Sequence, residues 1–130
     1  MGRDPQAEPQ RLLLVDDEQD ILDFLERALR RRYQVHRFSD PVAALAEVRA
    51  GRFDVVITDQ RMPAVTGLEI IEEVAQRSPD TVRVLISGYT EAPEIAQALV
   101  DRRIHNFVLK PIDSMQLLQA IDRAAARAQL

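Results

Sequence analysis

The sequence predicts an α/β domain of the doubly wound (βα)5 class, with five parallel strands and five helices. Its 130 residues, 46% hydrophobic and 29% charged, suit one globular domain. Short apolar runs alternate five times with segments of helical period. Because parallel neighbours need a crossover connection, this alternation favours a parallel sheet with helices on both faces.

Five apolar runs are predicted to be the strands. The first, third and fourth are nearly continuous in Leu, Val and Ile, which is typical of strands covered on both faces. The second alternates more and suits an edge of the sheet. In chain order the runs are residues 11–15, 34–38, 54–58, 82–87 and 106–109.

Apolar residues at helical spacing between these runs predict five helices. Asp40 and Pro41 suit the N-cap and the first residue of the second helix, and Pro93 is expected to open the fourth. In order, the predicted buried stripes are Ile21, Leu22, Leu25, Ala28 and Leu29; Val42, Leu45, Ala46 and Val48; Leu68, Ile71, Val74 and Ala75; Ile95, Ala98 and Leu99; and Leu117, Leu118, Ile121, Ala125 and Ala128.

The composition excludes several classes of function. Lys and Arg number 17 and Asp and Glu 21, and the resulting net charge of −4 argues against direct nucleic-acid binding, which needs a basic surface. The absence of Cys excludes disulfides, iron–sulfur clusters, Cys-ligated zinc and thiol nucleophiles. His36 and His105 lie far apart and lack the spacing of metal ligands. We interpret both as solvated residues flanking strands, with no functional role.

The first ten residues are polar and contain Pro5 and Pro9. We expect residues 1–10 to be a disordered leader and residues 11–130 to form the domain. The leader lacks the apolar stretch of a signal peptide, and no apolar run approaches the ~20 residues of a membrane span. A cytoplasmic protein without a membrane partner is therefore expected.

Polar residues follow the predicted strands in a restricted pattern. Asp16 and Asp17 follow the first strand, Asp59 the third, Ser87 the fourth and Lys110 the fifth. In a doubly wound sheet these ends meet at one edge, near the switch point where ligands bind. Carboxylate oxygens with room for water favour Mg²⁺ or Mn²⁺, and a carboxylate can attack a phosphoryl group. Lys110 would add positive charge, and Ser87 a donor to a phosphoryl oxygen.

Four sequence motifs contain these residues. They are Val15-Asp-Asp-Glu18, Asp59-Gln-Arg-Met-Pro63 followed by Gly67, Ser87-Gly88, and Phe107-Val-Leu-Lys-Pro111. Together they resemble the response-regulator receiver domains of two-component signalling, in the right order and over residues 11 to about 128. The resemblance implies a flavodoxin-like sheet of order 2-1-3-4-5 and a cis peptide bond before Pro111.

The resemblance also implies the roles of the acidic residues. Asp59 would be the phosphoacceptor and the residue that is modified. Asp17 would bind Mg²⁺ directly, together with Asp59, and Asp16 mainly through water. The backbone carbonyl of Arg61 would be a further protein ligand of the metal.

The same resemblance implies a conformational switch. Ser87 takes the position of the switch hydroxyl and Phe107 that of the switch aromatic residue, while Lys110 would hold the phosphoryl group. On phosphorylation Ser87 would move and leave space for Phe107, which lacks a hydroxyl and would rotate inward on apolar burial alone. The signal would reach the face of the fourth helix, fifth strand and fifth helix, whose exposed candidates are Arg102, Arg103, Asp113, Gln116 and Arg123.

The function expected from these observations is a phosphorylation-dependent switch that catalyses only its own phosphorylation and dephosphorylation. Its donor would be a sensor histidine kinase or a histidine phosphotransfer protein. Either the chain acts as a single-domain regulator, or an output domain for transcriptional control follows Leu130; the sequence leaves both open. A homodimer through the signalling face is a further expected partner.

Three alternatives share the architecture. A haloacid-dehalogenase-type aspartyl-phosphate phosphatase needs a second acid two residues after the nucleophile, where this chain has Arg61. A flavin or nucleotide binder needs a Gly-rich phosphate loop after the first strand, where this chain has Asp16 and Asp17. The third alternative is a receiver-like binding module that is never phosphorylated. The presence of all the acidic and switch residues argues against it.

Arg61 and Tyr89 set the expected lifetime of the phosphorylated state. In the family the side chains at these two positions flank the route by which water reaches phosphorus. Arg61 cannot accept a proton and as a cation would hold phosphoryl oxygens instead. Slow self-dephosphorylation is therefore expected.

Overall fold

Strands and helices alternate five times along the chain, as the sequence predicts. The structure is a computed structural model that describes residues 9–88 and 92–129. The predicted leader up to residue 8 and the predicted phosphate-access residue Tyr89 lie outside the described residues. The elements are β1 (Gln10–Val15), α1 (Gln19–Leu29), β2 (Tyr33–Phe38), α2 (Pro41–Ala50), β3 (Val55–Asp59), α3 (Gly67–Arg77), β4 (Val82–Ser87), α4 (Ala92–Val100), β5 (Asn106–Leu109) and α5 (Ser114–Ala128).

The five strands form one parallel sheet in the order β2-β1-β3-β4-β5. Val15 pairs with Phe38 on one side and with Thr58 on the other, and Ser87 pairs with Leu109. The carboxyl ends of the strands are therefore level. The chain reverses its direction of travel across the sheet between β1 and β3, which creates the switch point. The predicted fold class and strand order are confirmed.

Helices cover both faces of the sheet, which explains why the central strands are almost entirely apolar. Leu12 and Leu14 pack in one cluster with residues of α1 and α5. Leu13 and Val15, which alternate with them, pack in a second cluster with residues of α2 and α3. Leu85 belongs to a third cluster with residues of α3 and α4. Both side-chain rows of a strand are thus removed from water.

The predicted buried face of α2 is partly wrong. Val48 is buried as predicted, but Val42 is 52% exposed and Ala46 is exposed, and Pro41 and Ala44 are buried in their place. Most residues of α2 are apolar, so their spacing could not identify the side that meets the sheet. The predicted start is correct, since Asp40 accepts a hydrogen bond from the Val42 N–H and Pro41 is the first helical residue.

Element boundaries differ from the predictions by one residue in several places. β1 begins at Gln10, inside the predicted leader, and β2 begins at Tyr33. β3 begins one residue later than predicted and includes Asp59, while α4 begins at Ala92, one residue before Pro93. In the described part of the chain, no helix is both long and apolar enough to span a membrane.

Arg83 and His105 form a buried polar contact at the amino ends of β4 and β5. The Arg83 backbone N–H donates to His105 Nδ1 at 2.9 Å, so this nitrogen carries a lone pair and the ring is neutral. Burial, and then the charge of Arg83, lower the pKa of His105 to about 4. His105 is half-buried, and the interpretation of this residue as solvated is wrong.

This contact predicts a loss of stability in acid. His105 has an unfolded pKa of about 6.5 and a folded pKa of about 4, so the unfolded chain takes up the proton first. The stability that the fold gains from keeping His105 neutral is present above about pH 6.5 and is lost as the pH falls toward 4. Between about pH 7 and pH 5 we expect wild type to lose about 2 kcal/mol more than His105→Asn, which keeps an acceptor for Arg83. Urea unfolding of both chains measures this difference, and parallel curves would contradict it.

Candidate functional site

The carboxyl ends of four strands bring the predicted site residues to one edge of the sheet. Asp16 directly follows β1, Asp59 is the last residue of β3, Ser87 is the last residue of β4 and Lys110 directly follows β5. All but Lys110, which is half-buried, are less than 4% exposed. The predicted convergence of these side chains at the switch point is therefore observed.

Three carboxylates form an acidic cluster within this edge. Asp16, Asp17 and Asp59 each offer an oxygen, and these oxygens lie within 4.8 Å of one another. Asp16 Oδ1 accepts the Glu18 N–H at 2.9 Å. Asp16 Oδ2 is buried and has no donor among the described residues, which is costly for a carboxylate unless a cation completes its coordination. An all-oxygen set with such an orphaned atom fits Mg²⁺ or Mn²⁺.

The cluster is electrostatically strained. Burial raises the pKa of Asp16 to about 6, and the charges of Asp59 and Asp17 add to this, against the Glu18 N–H and Lys110. Burial also raises the pKa of Asp59, while Lys110 opposes the shift by its charge and its hydrogen bond. Two buried carboxylates and one exposed carboxylate therefore share a site that favours added positive charge.

Lys110 contributes positive charge to the site. Its Nζ lies 3.2 Å from Asp59 Oδ2 and 4.0 Å from Glu18 Oε2. Burial lowers the pKa of Lys110, but the charge of Asp59, its hydrogen bond and the more distant acids outweigh this, so the net shift is upward. The Lys110 N–H donates to the Ser87 carbonyl at 2.9 Å, and the peptide bond to Pro111 is cis, as the resemblance implied.

The predicted switch residues lie on neighbouring strands. Ser87 is 1% exposed and its Oγ donates to the Gly88 carbonyl at 3.0 Å. Phe107 pairs in register with Leu85, is half-buried, and packs against the apolar cluster between α3 and α4. Phe107 therefore lies two residues before Leu109, the residue of β5 that pairs with Ser87.

The loop between β3 and α3 contains a residue that the sequence reading missed. Gln60 is 6% exposed, and its Oε1 accepts the Leu68 N–H at 2.8 Å, at the start of α3. Its own N–H donates to the Ile86 carbonyl at 3.0 Å, and its carbonyl accepts the Gly67 N–H at 3.1 Å. Gln60 therefore ties β4 and the first turn of α3 to the end of β3. In the sequence, the one indication of this role is that the polar Gln60 directly follows the predicted phosphoacceptor Asp59. Arg61, next in the loop, is exposed.

The predicted signalling face is partly corrected. Gln116 and Arg123 are exposed and, with residues 106–109, line a cleft of about 380 Å³. Arg103 is half-buried and pairs with Glu72 at 3.2 Å and with Asp101 at 3.6 Å. Arg103 is therefore held by Glu72 of α3 and by Asp101 in the turn after α4. The prediction that Arg103 is an exposed residue of the signalling face is wrong.

Comparison with known proteins gives consistent results. The response regulator receiver domain family matches residues 12–122. The chain is 36% identical to the hydrogenase transcriptional regulatory protein HoxA of Cupriavidus necator over 91% of this chain and 24% of the relative. It is 34% identical to the response regulator protein PilR of Pseudomonas aeruginosa over 88% of this chain and 26% of the relative. The chain thus spans about a quarter of the length of these curated relatives.

Solved structures agree with the sequence relatives. The signal receiver domain of an HD domain-containing protein from Pseudomonas fluorescens Pf-5 superposes with a TM-score of 0.81 and 28% identity, over 94% of this chain and 98% of the other. A receiver domain protein from Clostridium thermocellum gives a TM-score of 0.81 at 25% identity, over 92% and 97% of the two chains. The family match covers most of the chain, and the fold and the strand-end residues agree with it. This chain belongs to the response regulator receiver domain family.

Proposed function

We propose that this chain is a signalling switch that accepts a phosphoryl group on Asp59 from a phosphohistidine. The observation that carries this proposal is the setting of Asp59, with two carboxylates within 4.8 Å and the Lys110 ammonium at 3.2 Å. The phosphatase alternative loses support because Arg61 stands where a second acid is needed. The family match also favours a receiver over a catalytic enzyme family.

The reaction would need few protein groups. An oxygen of Asp59 attacks phosphorus, the phosphorus–nitrogen bond of the donor breaks, and its electron pair leaves on the imidazole nitrogen, which takes up a proton. Lys110, already at hydrogen-bond distance from Asp59, holds the transferred oxygens by charge. Ser87 can donate its hydroxyl hydrogen to one of them after a rotation away from the Gly88 carbonyl.

Magnesium, or manganese in its place, is the proposed cofactor. The orphaned Asp16 Oδ2 and the oxygen-only donor set support this assignment. Asp16, Asp17, Asp59 and the carbonyl of Arg61 would hold the ion. When bound, it supplies positive charge that offsets the negative charge on the phosphoryl oxygens.

The proposed output runs through α4, β5 and α5. Engagement of Ser87 by the phosphoryl group would free space that Phe107 can fill, which biases this face between two arrangements. A sensor histidine kinase or histidine phosphotransfer protein is the proposed donor, and a homodimer or an output domain the proposed receiver of the signal. The transcriptional relatives support control of transcription in the bacterial cytoplasm.

The proposal is tested with a small phosphodonor. Acetyl phosphate and Mg²⁺ should give one phosphoryl adduct per chain in the intact mass spectrum. EDTA should slow its formation by roughly a hundredfold or more, because the carboxylates otherwise repel the anionic donor. A chain that forms no adduct with the donor and Mg²⁺ would remove the basis of the proposal.

The phosphorylated state is expected to be long-lived. An amide or acid at position 61 or 89 could orient an in-line water, whereas Arg61 cannot. We expect Arg61→Asn with Tyr89→Glu to lose phosphate roughly tenfold faster or more, about 1.4 kcal/mol in barrier. The measurement is the decay of the adduct with time after donor removal. Arg61→Lys keeps the cation and should decay slowly, and equal rates in the double variant and wild type would mean that neither side chain controls water.

A further inference from the structure

A cleft lies at the edge of the sheet opposite the acidic site. It has a volume of about 620 Å³, within the roughly 300–1,000 Å³ of small-molecule sites. It lies between the ends of α4 and α5, beside the start of β4. Leu99, Val100 and Ile104 provide its apolar lining. Val100 is 77% exposed, Leu99 is half-buried and Ile104 is 2% exposed, so Val100 presents most of the apolar surface.

The remaining lining is strongly cationic. Arg83, Arg102 and Arg127 all border the cleft, and none of the described residues that line it is acidic. This contrasts with the whole chain, whose net charge is −4. Asp101 and Asp80, which adjoin lining residues in the sequence, pair with Arg103 and Arg52, neither of which lines the cleft. The cleft therefore combines an apolar wall with local positive charge in an acidic protein.

Arg83 contributes a buried charge to this cleft. The residue is 5% exposed, and its guanidinium donates to the carbonyls of Pro79, Thr81, Arg102 and Arg103 at 2.8 to 3.2 Å. These acceptors are neutral, so they satisfy the donors without cancelling the charge. Burial accordingly lowers the pKa of Arg83. A positive field of this kind extends into a cleft better than one from a solvated surface charge.

Arg102 occupies a backbone position that suits glycine. Its φ is 60°, in the left-handed region after the last turn of α4, which disfavours residues that carry a Cβ. The main chain makes its contacts without the side chain, since the N–H donates to Leu99 and the carbonyl accepts from Arg83. The strained backbone thus keeps an exposed guanidinium at the rim of the cleft. Arg127 adds a second exposed guanidinium there, with Nη1 donating to the His105 carbonyl at 3.1 Å.

We propose that this cleft binds a small organic anion with an apolar body, of the medium-chain carboxylate class. The apolar body packs on Leu99, Val100 and Ile104 and covers the exposed Val100. The carboxylate lies between Arg102 and Arg127, whose planar guanidinium groups suit bidentate pairing. The buried charge of Arg83 adds electrostatic attraction for this carboxylate. This site is separate from the acidic edge of the sheet and does not require phosphorylation.

The test is a two-dimensional amide NMR titration of the whole chain with octanoate, and with octanamide as the uncharged match. Octanoate should produce saturable shifts at the amides of Val100, Ile104 and His105, and octanamide should bind at least about tenfold more weakly. Arg102→Gln with Arg127→Gln should raise the Kd for octanoate about tenfold or more. Arg30→Gln with Arg31→Gln removes the same charge from exposed positions after α1 and should leave the Kd within about twofold.

A second variant keeps the proposal testable if the double variant does not fold. Val100→Asp alters an exposed side chain and places an anion on the apolar wall, so octanoate binding should be lost. Equal affinity for octanamide, equal weakening by both double variants, or shifts elsewhere on the surface would overturn the proposal. So would a response to an acidic peptide with none to octanoate. Asp59→Asn should bind octanoate like wild type, which separates this result from the phosphorylation proposal.

Discussion

An Asp59→Asn chain is expected to form no phosphoryl adduct under conditions in which wild type is fully modified. The amide has no anionic oxygen to attack phosphorus, so the covalent step is lost and not merely slowed. Glu18 is not expected to substitute, because its carboxylate is exposed and lies 4.0 Å from the Lys110 ammonium, whereas the buried Asp59 lies at 3.2 Å. Intact mass spectra of both chains after exposure to acetyl phosphate and Mg²⁺ measure the difference.

Loss of folding is not expected to complicate this result. Asn has the shape of Asp, and burial already raises the pKa of Asp59, so neutralising the side chain relieves a carboxylate that the fold disfavours as an anion. Asp54→Asn is the matched control. Asp54 precedes the same strand at its opposite end and pairs with Arg52 at 3.3 Å, and its variant should be modified as fully as wild type. An undiminished adduct in Asp59→Asn would show that the phosphoacceptor is a residue other than Asp59.

The fold could be predicted because its strands are buried on both faces. A parallel sheet between two helical layers requires nearly continuous apolar strands, such as residues 11–15 and 82–87, and these contrast with helical spacing between them. The site could be predicted for a related reason. Residues at the carboxyl ends of parallel strands meet without any further folding information, so Asp16, Asp59 and Lys110 could be placed together from position alone.

Other features depend on contacts that local sequence does not encode. The buried face of α2 could be identified only at Val48, because apolar residues surround the helix and only docking on the sheet selects Pro41 and Ala44. Arg83 resembles any charged residue in a strand until the distant carbonyls of Arg102 and Arg103 join two local carbonyls around its guanidinium. Gln60 shows its role only when the start of α3 reaches its side chain. In each case tertiary packing decided the outcome.

Gly67→Ala is expected to damage both the fold and the acceptor. A Cβ at Gly67 would overlap the Asp59 carbonyl oxygen and lie 2.9 Å from the carbonyl carbon, with Leu85 Cδ1 at 3.0 Å. Two of these three atoms are main chain, so either α3 or the end of β3 must shift. We expect the free energy of unfolding to fall by about 2–3 kcal/mol. The rate of phosphorylation should fall about tenfold or more, because Asp59 is the residue displaced.

Gly88→Ala separates this steric effect from a general cost of replacing glycine. A Cβ at Gly88 would meet no atom of the described residues within 4 Å, and no described glycine has a positive φ, so neither substitution imposes a forbidden backbone. Gly88→Ala should stay within about 0.5 kcal/mol of wild type. Urea unfolding and the rate of adduct formation are measured on both variants. If Gly67→Ala matched Gly88→Ala in stability, the close approach of α3 to Asp59 would be wrong. If it lost stability but kept the wild-type rate, α3 would yield to the added methyl group and Asp59 would keep its position.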